Sequence, residues 1–317
     1  MLKPEEISRI KEIWESIANN ISPLHKKNIF LSSKGWDGEN ARFIVYAFGG
    51  QLTNLTIKRG NKDSCTTFSK RYNKYFETED RGKSIRSELA ESNKHRQGVR
   101  VLTEWKNGIW EEICNAFSQW ATKNQVERKR QTFISKKNEN KEIAIFAIEE
   151  NVPLPSSGNG ELDMGAIRFE NGKPILSLIE YKCTEDATDS KTDFAKHVRD
   201  MKKYYRLPEY KHNFLNLYKQ KQLLLGNNAD VDEKECSVEL VLLISHVNWK
   251  DSFKNSKEPY VEPGTLLRKL KDVQKINGFK EIENDLKVMI IKDEKEILRA
   301  KNYMTYKEAL KFIKDNM

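Results

Sequence analysis

The chain has 317 residues, of which 38% are apolar and 32% charged, and its 14 Phe, 11 Tyr and 6 Trp are too many for a disordered protein. No stretch approaches the roughly 18 uninterrupted apolar residues of a membrane span, and residues 1–17 read as a charged amphipathic segment rather than a secretory signal. We therefore expect a folded protein that is neither membrane-spanning nor secreted. Its cysteines are too widely spaced for a zinc site or a disulfide framework, so a reducing cytoplasm is the expected location. They are Cys65, Cys114, Cys183 and Cys236.

The charge balance is basic. Lys and Arg number 56 against 47 Asp and Glu, which gives a formal net charge of +9 and an isoelectric point of about 9.1. Such a balance favours a polyanionic partner, because binding releases counterions. A composition rich in both Lys and acids produces the same balance without nucleic acid, so charge alone leaves both interpretations open.

Residues 1–98 are predicted to form an N-terminal α+β module. The chain begins with a helix over 4–20, where a proline suits the first turn and isoleucines recur on one side. A hairpin of two strands follows over 42–58, with its turn at Gly49 and Gly50.

The module continues with a basic, aromatic segment. A helix is predicted over Cys65–Phe76, and its Lys70, Arg71 and Lys74 are candidate nucleic-acid contacts. A charged linker, Glu77–Gly98, then ends the module, which is a candidate DNA-binding or specificity region.

Residues 99–317 are predicted to form a second domain in which strands alternate with helices, after a long first helix over 99–123. This pattern favours an α/β fold with a central mixed sheet. The predicted strands are Thr132–Ser135, Ile143–Ile148, Glu161–Phe169, Ile175–Tyr181, Val238–Ser245 and Val288–Ile291. The predicted helices are Thr192–Arg206, Asn213–Leu225, Thr265–Ile276 and Thr305–Asn316.

One hairpin of this domain carries chemistry. Asn171-Gly172 separates two alternating runs, and both residue types tolerate the positive φ of a type I′ turn. A two-residue loop there places Asp163 directly opposite Glu180 on one face, with Lys182 two residues further on the same face. We expect that face, which also carries Phe169, to be turned toward the core.

Two carboxylates placed side by side at the rim of a core repel each other unless a cation lies between them. Hard oxygen ligands in that geometry suit Mg²⁺ or Mn²⁺, which can hold a phosphate oxygen and activate water. The Lys182 ammonium can then orient or deprotonate the water and stabilise the developing charge. The arrangement predicts hydrolysis of a phosphodiester, with Asp163, Glu180 and Lys182 as catalytic residues and the two acids as metal ligands.

An acid, any residue and a lysine do not by themselves identify a site, since Glu209-Tyr210-Lys211 has the same letters as Glu180-Tyr181-Lys182. Position distinguishes them, because only the second triplet ends an apolar strand that faces an aspartate across a turn. At this hairpin the chain resembles the PD-(D/E)XK nuclease superfamily over about Val99–His246. Leu162 replaces the proline that precedes the family's first acid, and a solvated hairpin end with salt bridges is the alternative.

The resemblance implies a three-layer restriction-endonuclease-like core and further site residues. The Tyr181 carbonyl would be another metal ligand, and Glu112 on the long helix would be an additional one. His197 and Tyr204 occupy the places where family members carry a polar residue and a tyrosine, although structural roles are as common there. The same predicted helix presents Lys196, Arg199 and Lys203 as candidate nucleic-acid contacts.

The leading functional hypothesis is a Mg²⁺- or Mn²⁺-dependent DNA endonuclease, most like a type II restriction or prokaryotic defence nuclease. Cutting both strands of a duplex calls for two active sites, so a homodimer is expected. Two alternatives stay open: a repair, recombination or phage nuclease of the same fold acting on single strands or RNA, and a catalytically inactive nucleic-acid-binding protein.

Overall fold

The computed structural model describes most of the chain. The described residues are 4–34, 41–57, 63–124, 126–153, 159–184, 194–227, 230–253 and 259–317.

The chain forms two compact units, each with its own sheet. Unit 1 consists of Met1–Lys136 and Asn216–Asp230, and unit 2 of Lys137–Leu215 and Val231–Met317. This division differs from the one predicted between residues 98 and 99, because the helix that follows residue 98 contributes Trp110, Phe117 and Trp120 to the N-terminal core. A helix joins whichever core buries its apolar side.

Unit 1 contains a four-stranded sheet in the order β1-β2-β3-β4. Its strands are β1 (Ile29–Lys34), β2 (Ala41–Ala47), β3 (Gly50–Ile57) and β4 (Ser64–Cys65). The predicted hairpin is present, but Ala47 pairs with Gly50, so its turn is Phe48-Gly49 rather than Gly49-Gly50. Both turn residues have positive φ, 51° and 82°. The prediction of the turn was wrong by one residue.

Unit 1 also contains helices, most of which contribute aromatic and aliphatic side chains to one core. They are α1 (Pro4–Asn19), α2 (Pro23–Lys26), a 3-10 helix (Lys70–Tyr75), α3 (Glu79–Lys94), α4 (Gly98–Glu104), α5 (Asn107–Asn124) and α6 (Val126–Lys137).

Four local predictions in this region were wrong. The helix expected over Cys65–Phe76 is reduced to the six residues of the 3-10 helix. The residues predicted to form a charged linker instead form helix α3. Its buried residues are Gly82, Ile85 and Leu89, which are too few to give a visible apolar pattern among the charged residues. The long helix breaks between α4 and α5, where Asn107 and Gly108 are weak helix formers. The predicted strand at residues 132–135 lies in helix α6.

Unit 2 is built on a six-stranded mixed sheet in the order β10-β9-β8-β7-β6-β5. Strands β5, β6 and β7 form an antiparallel meander, β7, β8 and β9 run parallel, and β10 is antiparallel to β9. The strands are β5 (Ala144–Pro153), β6 (Asn159–Glu170), β7 (Lys173–Lys182), β8 (Ser237–Ile244), β9 (Leu286–Ile290) and β10 (Met304–Thr305). The predicted α/β class with a central mixed sheet is confirmed for this unit.

Helices follow the strands of unit 2 at or near the predicted positions. They are α7 (Phe194–Tyr204), α8 (Pro208–Leu224), α9 (Pro263–Val273), α10 (Phe279–Ile282) and α11 (Tyr306–Asp315), with 3-10 turns at Trp249–Asp251 and Ala300–Asn302. The part of α8 from Asn216 on belongs to unit 1. Residues 192 and 193 of the first predicted helix lie outside the described part of the chain. Among the described residues, the helices are too short or too polar to cross a lipid bilayer.

Strand β7 is the centre of the sheet, and seven consecutive residues at its carboxyl end are buried. A strand that is covered on both faces has a nearly continuous run of apolar residues instead of an apolar–polar alternation. Strands β7 and β8 have such runs. Phe169, predicted to face the core, is 51% exposed. The reason is that strand β5 pairs with β6 only as far as Ile167, so the turn end of the hairpin extends beyond its neighbour.

A buried ion pair ties β6 to β8. The Arg168 guanidinium donates to both carboxylate oxygens of Glu239, at 3.0 and 2.9 Å, and Ser177 donates to the same carboxylate at 2.6 Å. The Arg168 and Glu239 side chains are only 8% and 6% exposed. Their charges are therefore removed from water and depend on each other.

Replacing Glu239 with Gln removes the buried anion of Arg168 and leaves only the exposed Glu170 carboxylate, 3.1 Å from its guanidinium. We expect the free energy of unfolding to fall by about 3–5 kcal/mol, as measured by urea denaturation. The double variant Arg168→Met/Glu239→Leu should recover most of that loss. Equal stability of the Gln variant and the wild-type protein would contradict the role of this pair.

Candidate active site

The β6–β7 hairpin has the predicted register. Pairs run from Glu170 opposite Lys173 to Met164 opposite Ile179. The turn residues have φ of 52° and 80°, as a type I′ turn requires. The next step beyond Met164 and Ile179 brings Asp163 to Glu180.

Asp163 lies where the backbone pairing of the hairpin ends. Its Oδ2 accepts a hydrogen bond of 2.8 Å from the Tyr181 backbone N–H. The carboxylate thus accepts from a backbone N–H near the end of β7, and this bond fixes the Asp163 side chain against that strand. Its side chain is 13% exposed, so one side of the carboxylate faces solvent.

Glu180 is fully buried, and its charge is compensated by two bases. Oε1 is 2.7 Å from the Lys182 Nζ, and Oε2 is 3.2 Å from Nδ1 of His197. Neither contact has the angles of a hydrogen bond, so lone pairs on each oxygen are left for a further ligand. Burial alone raises the pKa of the Glu180 carboxyl, but Lys182 and His197 outweigh it and hold that pKa below its usual value.

Lys182 joins the two acids. Its ammonium is 2.7 Å from Glu180 Oε1 and 3.6 Å from Asp163 Oδ2, and it donates to the Tyr181 carbonyl at 3.0 Å. These are the three oxygens predicted to hold a metal ion. The ammonium therefore lies among the oxygens that a divalent cation would use.

Helix α7 covers this face of the sheet and contributes His197 and Tyr204. The Tyr204 hydroxyl is buried and has no hydrogen-bond partner among the described residues. Burial raises the pKa of Tyr204, and the negative charges of Glu180, Asp200 and Asp163 raise it further. The hydroxyl thus stays protonated and is available as a donor beside the acids.

The oxygens of the site fit a hard divalent cation. Two carboxylates and a backbone carbonyl are the ligand types that Mg²⁺ and Mn²⁺ prefer, and the Glu180 oxygens retain unused lone pairs. Within the described ranges, no group of three or more His, Cys, Asp or Glu side chains is placed to hold a metal. A metal at this hairpin would therefore complete its coordination with water or phosphate oxygens, as Mg²⁺ usually does.

Glu112 belongs to unit 1, where Arg81 binds its carboxylate with two hydrogen bonds of 2.7 and 3.0 Å. This contact gives the residue a structural role on helix α5. Its assignment as an additional metal ligand stays a prediction.

The six basic residues predicted to contact nucleic acid are all exposed. In unit 1, Arg71 lies over the rings of Tyr72 and Trp120 at 4.9 and 5.0 Å and donates to the Tyr72 hydroxyl. The stacking holds its guanidinium in one orientation. The full set is Lys70, Arg71 and Lys74 in unit 1 and Lys196, Arg199 and Lys203 in unit 2.

The sequence did not predict a role for Ser245, whose hydroxyl forms a 2.7 Å hydrogen bond with that of Tyr181. Ser245 follows β8, the parallel neighbour of β7, and the carboxyl ends of parallel strands lie side by side. That topology was the signal available for finding it.

No family model matches the chain, and neither a curated protein nor a solved structure is significantly similar to it. The functional argument therefore rests on the geometry of this site.

Lys182→Met should lower the free energy of unfolding by about 3–5 kcal/mol, because the buried Glu180 carboxylate loses its ammonium partner. Urea denaturation measures the change. Glu180→Gln/Lys182→Met removes both charges and should be more stable than Lys182→Met alone. A double variant less stable than the single one would show that charge compensation is not what Lys182 contributes.

Proposed function

We propose that the chain is a metal-dependent endonuclease that hydrolyses DNA, and that unit 2 is a restriction-endonuclease-like core. The observation that carries the proposal is the convergence of Asp163, Glu180 and the Tyr181 carbonyl on the Lys182 ammonium, all within 4 Å of its nitrogen. Metal-dependent phosphodiester hydrolysis needs anionic oxygens for the cation and a base beside them.

The order of elements supports the same proposal. Three antiparallel strands are followed by helices α7 and α8, and β8 then lies parallel to the third strand. The resemblance implies three strands, a helix and a strand in this order, so α8 is an addition to it. Lys182 ends the third strand, where the resemblance requires the catalytic lysine.

In the proposed mechanism, Asp163, Glu180 and the Tyr181 carbonyl bind Mg²⁺ or Mn²⁺. Bound there, the ion would polarise the scissile phosphate and acidify a coordinated water. Lys182 orients the attacking water and offsets the charge that develops on the phosphate oxygens. His197 contacts the second oxygen of Glu180, and the Tyr204 hydroxyl, which has no partner among the described residues, is proposed to donate to the bound phosphate. We further propose a cytoplasmic homodimer, since a double-strand cut needs two such sites.

Cleavage of supercoiled plasmid with Mg²⁺ tests the proposal. Lys182→Ala and Asp163→Asn should lower the cleavage rate at least about 100-fold, the contribution of a positioned acid–base group. EDTA should abolish cleavage. The matched control is Lys211→Ala, because Glu209-Tyr210-Lys211 carries the same residues on helix α8, and its rate should equal that of the wild-type protein.

The products separate the alternatives. Discrete fragments support a restriction nuclease, and smearing supports a nonspecific one. Cleavage of RNA or single strands alone supports a repair, recombination or phage nuclease. Binding without cleavage would overturn the enzyme and leave a nucleic-acid-binding protein. Equal loss of activity in Lys211→Ala and Lys182→Ala would show that the site is not at this hairpin.

The basic residues should contribute to DNA affinity through phosphate contacts. Replacing Lys70, Arg71 and Lys74 with Gln should weaken binding of any duplex and reduce the slope of log K against log salt by about 3, one per contact. Replacing Lys196, Arg199 and Lys203 should have a similar effect. Fluorescence anisotropy over a salt series measures both.

Lys83 and Lys94 provide a control for that experiment, because both are exposed lysines of helix α3 that were not predicted to contact nucleic acid. Their replacement with Gln should leave the salt slope unchanged. If the Lys83/Lys94 variant reduces the slope as much per replaced residue as the triple variants do, then overall charge rather than the named residues governs binding.

A further inference from the structure

A chain of three hydrogen-bonded side chains, extended by a close contact to a fourth, runs from the candidate site through the buried end of β8. The Tyr181 hydroxyl is 2.7 Å from Ser245 Oγ, and Ser245 Oγ is 2.8 Å from Nδ1 of His246. Nε2 of His246 is 3.1 Å from Glu294 Oε2. Tyr181 and Ser245 are fully buried and His246 is 1% exposed, so solvent does not supply their partners.

The Ser245 hydroxyl is the centre of this chain, because it forms hydrogen bonds with both the Tyr181 hydroxyl and Nδ1 of His246, and it can donate to only one of the two. The position of each of these side chains is therefore tied to that of its neighbour.

The Ser245–His246–Glu294 arrangement resembles a nucleophile with its base, but burial excludes that role. A nucleophile must reach a substrate, and the Ser245 hydroxyl has no exposed surface and is held by Tyr181. The chain is therefore a support rather than a second catalytic centre.

The backbone around His246 is held in an uncommon conformation. His246 has φ of 58°, in the left-handed region that non-glycine residues rarely adopt. Its N–H donates to the Lys292 carbonyl at 3.1 Å, and its carbonyl accepts from Val261 at 2.9 Å. The two bonds pin the residue between neighbouring segments and aim its ring at Ser245.

We propose that Ser245 and His246 are positioning residues for the Glu180–Lys182 segment, an inference that rests on the proposed function. Ser245 holds Tyr181 by its hydroxyl, and the Ser245 N–H donates to the Lys182 carbonyl at 3.0 Å. The Tyr181 backbone in turn holds Asp163 through its N–H and Lys182 through its carbonyl. A shift of Tyr181 therefore moves both side chains out of the arrangement needed for hydrolysis.

Tyr181→Phe and Ser245→Ala test the inference, with Ser177→Ala as the matched control. Ser177 is an equally buried serine in the middle of β7, and its hydroxyl donates to Glu239. All three variants should lower the thermal midpoint by similar amounts. Only Tyr181→Phe and Ser245→Ala should lower kcat for DNA cleavage, by about tenfold with KM unchanged, and weaken Mn²⁺ binding in calorimetry. The Tyr181→Phe/Ser245→Ala double variant should be no slower than either single one.

The outcomes distinguish this inference from the proposed function. Wild-type protein that neither cleaves DNA nor binds Mn²⁺ would overturn both. Wild-type protein that cleaves, together with Tyr181→Phe and Ser245→Ala variants of unchanged kcat and Mn²⁺ affinity, would overturn the positioning role alone. A loss of kcat in Ser177→Ala as large as in Ser245→Ala would also overturn it, because the effect would then follow stability. If Ser245→Ala does not fold, the kcat and the Mn²⁺ affinity of Tyr181→Phe test the positioning role.

Discussion

A carboxylate with no exposed surface, that of Glu180, is the constraint on which unit 2 depends. Removing such a charge from water costs several kcal/mol, and the cost is met only when opposite charges lie close by. The sheet gives Glu180 one partner from its own strand, Lys182, and helix α7 gives it another, His197. Docking of α7 on the sheet is therefore tied to charge compensation as well as to the apolar contacts of Val198 and Met201. Those contacts alone would be satisfied by a leucine at position 180.

Charge compensation also bears on the chemistry proposed for the site. Lys182 makes its contacts with the same oxygens that suit a divalent cation, so the ammonium and a metal compete for them. An acid pair held by a lysine is stable without metal, because the ammonium offsets the repulsion between the carboxylates. The same pair retains lone pairs for a stronger cation. The contacts that stabilise the hairpin end and those that would bind metal are thus alternatives at one set of atoms, which links stability to the proposed activity.

Sequence reasoning succeeded where structure is local. The Asn171-Gly172 turn is followed by the register predicted for the twelve-residue β6 and the ten-residue β7, and Lys182 lies within 4 Å of both Asp163 and Glu180. It failed where distant contacts decide. Helix α3 resembles a linker because only Gly82, Ile85 and Leu89 of its sixteen residues are buried. The sequence did not predict the boundary between the two units either, because the apolar stripe of helix α5 does not show which core the helix packs against. Ser245 was missed for the same reason, because its partner Tyr181 lies 64 residues away in the chain.

The two Glu-Tyr-Lys triplets show why the spacing of residues acquires meaning only within a fold. On strand β7, residues two apart lie on one face, so Glu180 and Lys182 meet while Tyr181 turns to the opposite side and bonds Ser245. On helix α8, residues two apart lie on different sides, and Lys211 instead donates to the Cys236 carbonyl at 3.2 Å. The same residues form an ion pair beside an aspartate in one place and a surface contact in the other. The two triplets have the same residues but different backbone geometry, and this explains why they make different contacts. A three-residue motif therefore indicates a site only together with its position in the fold.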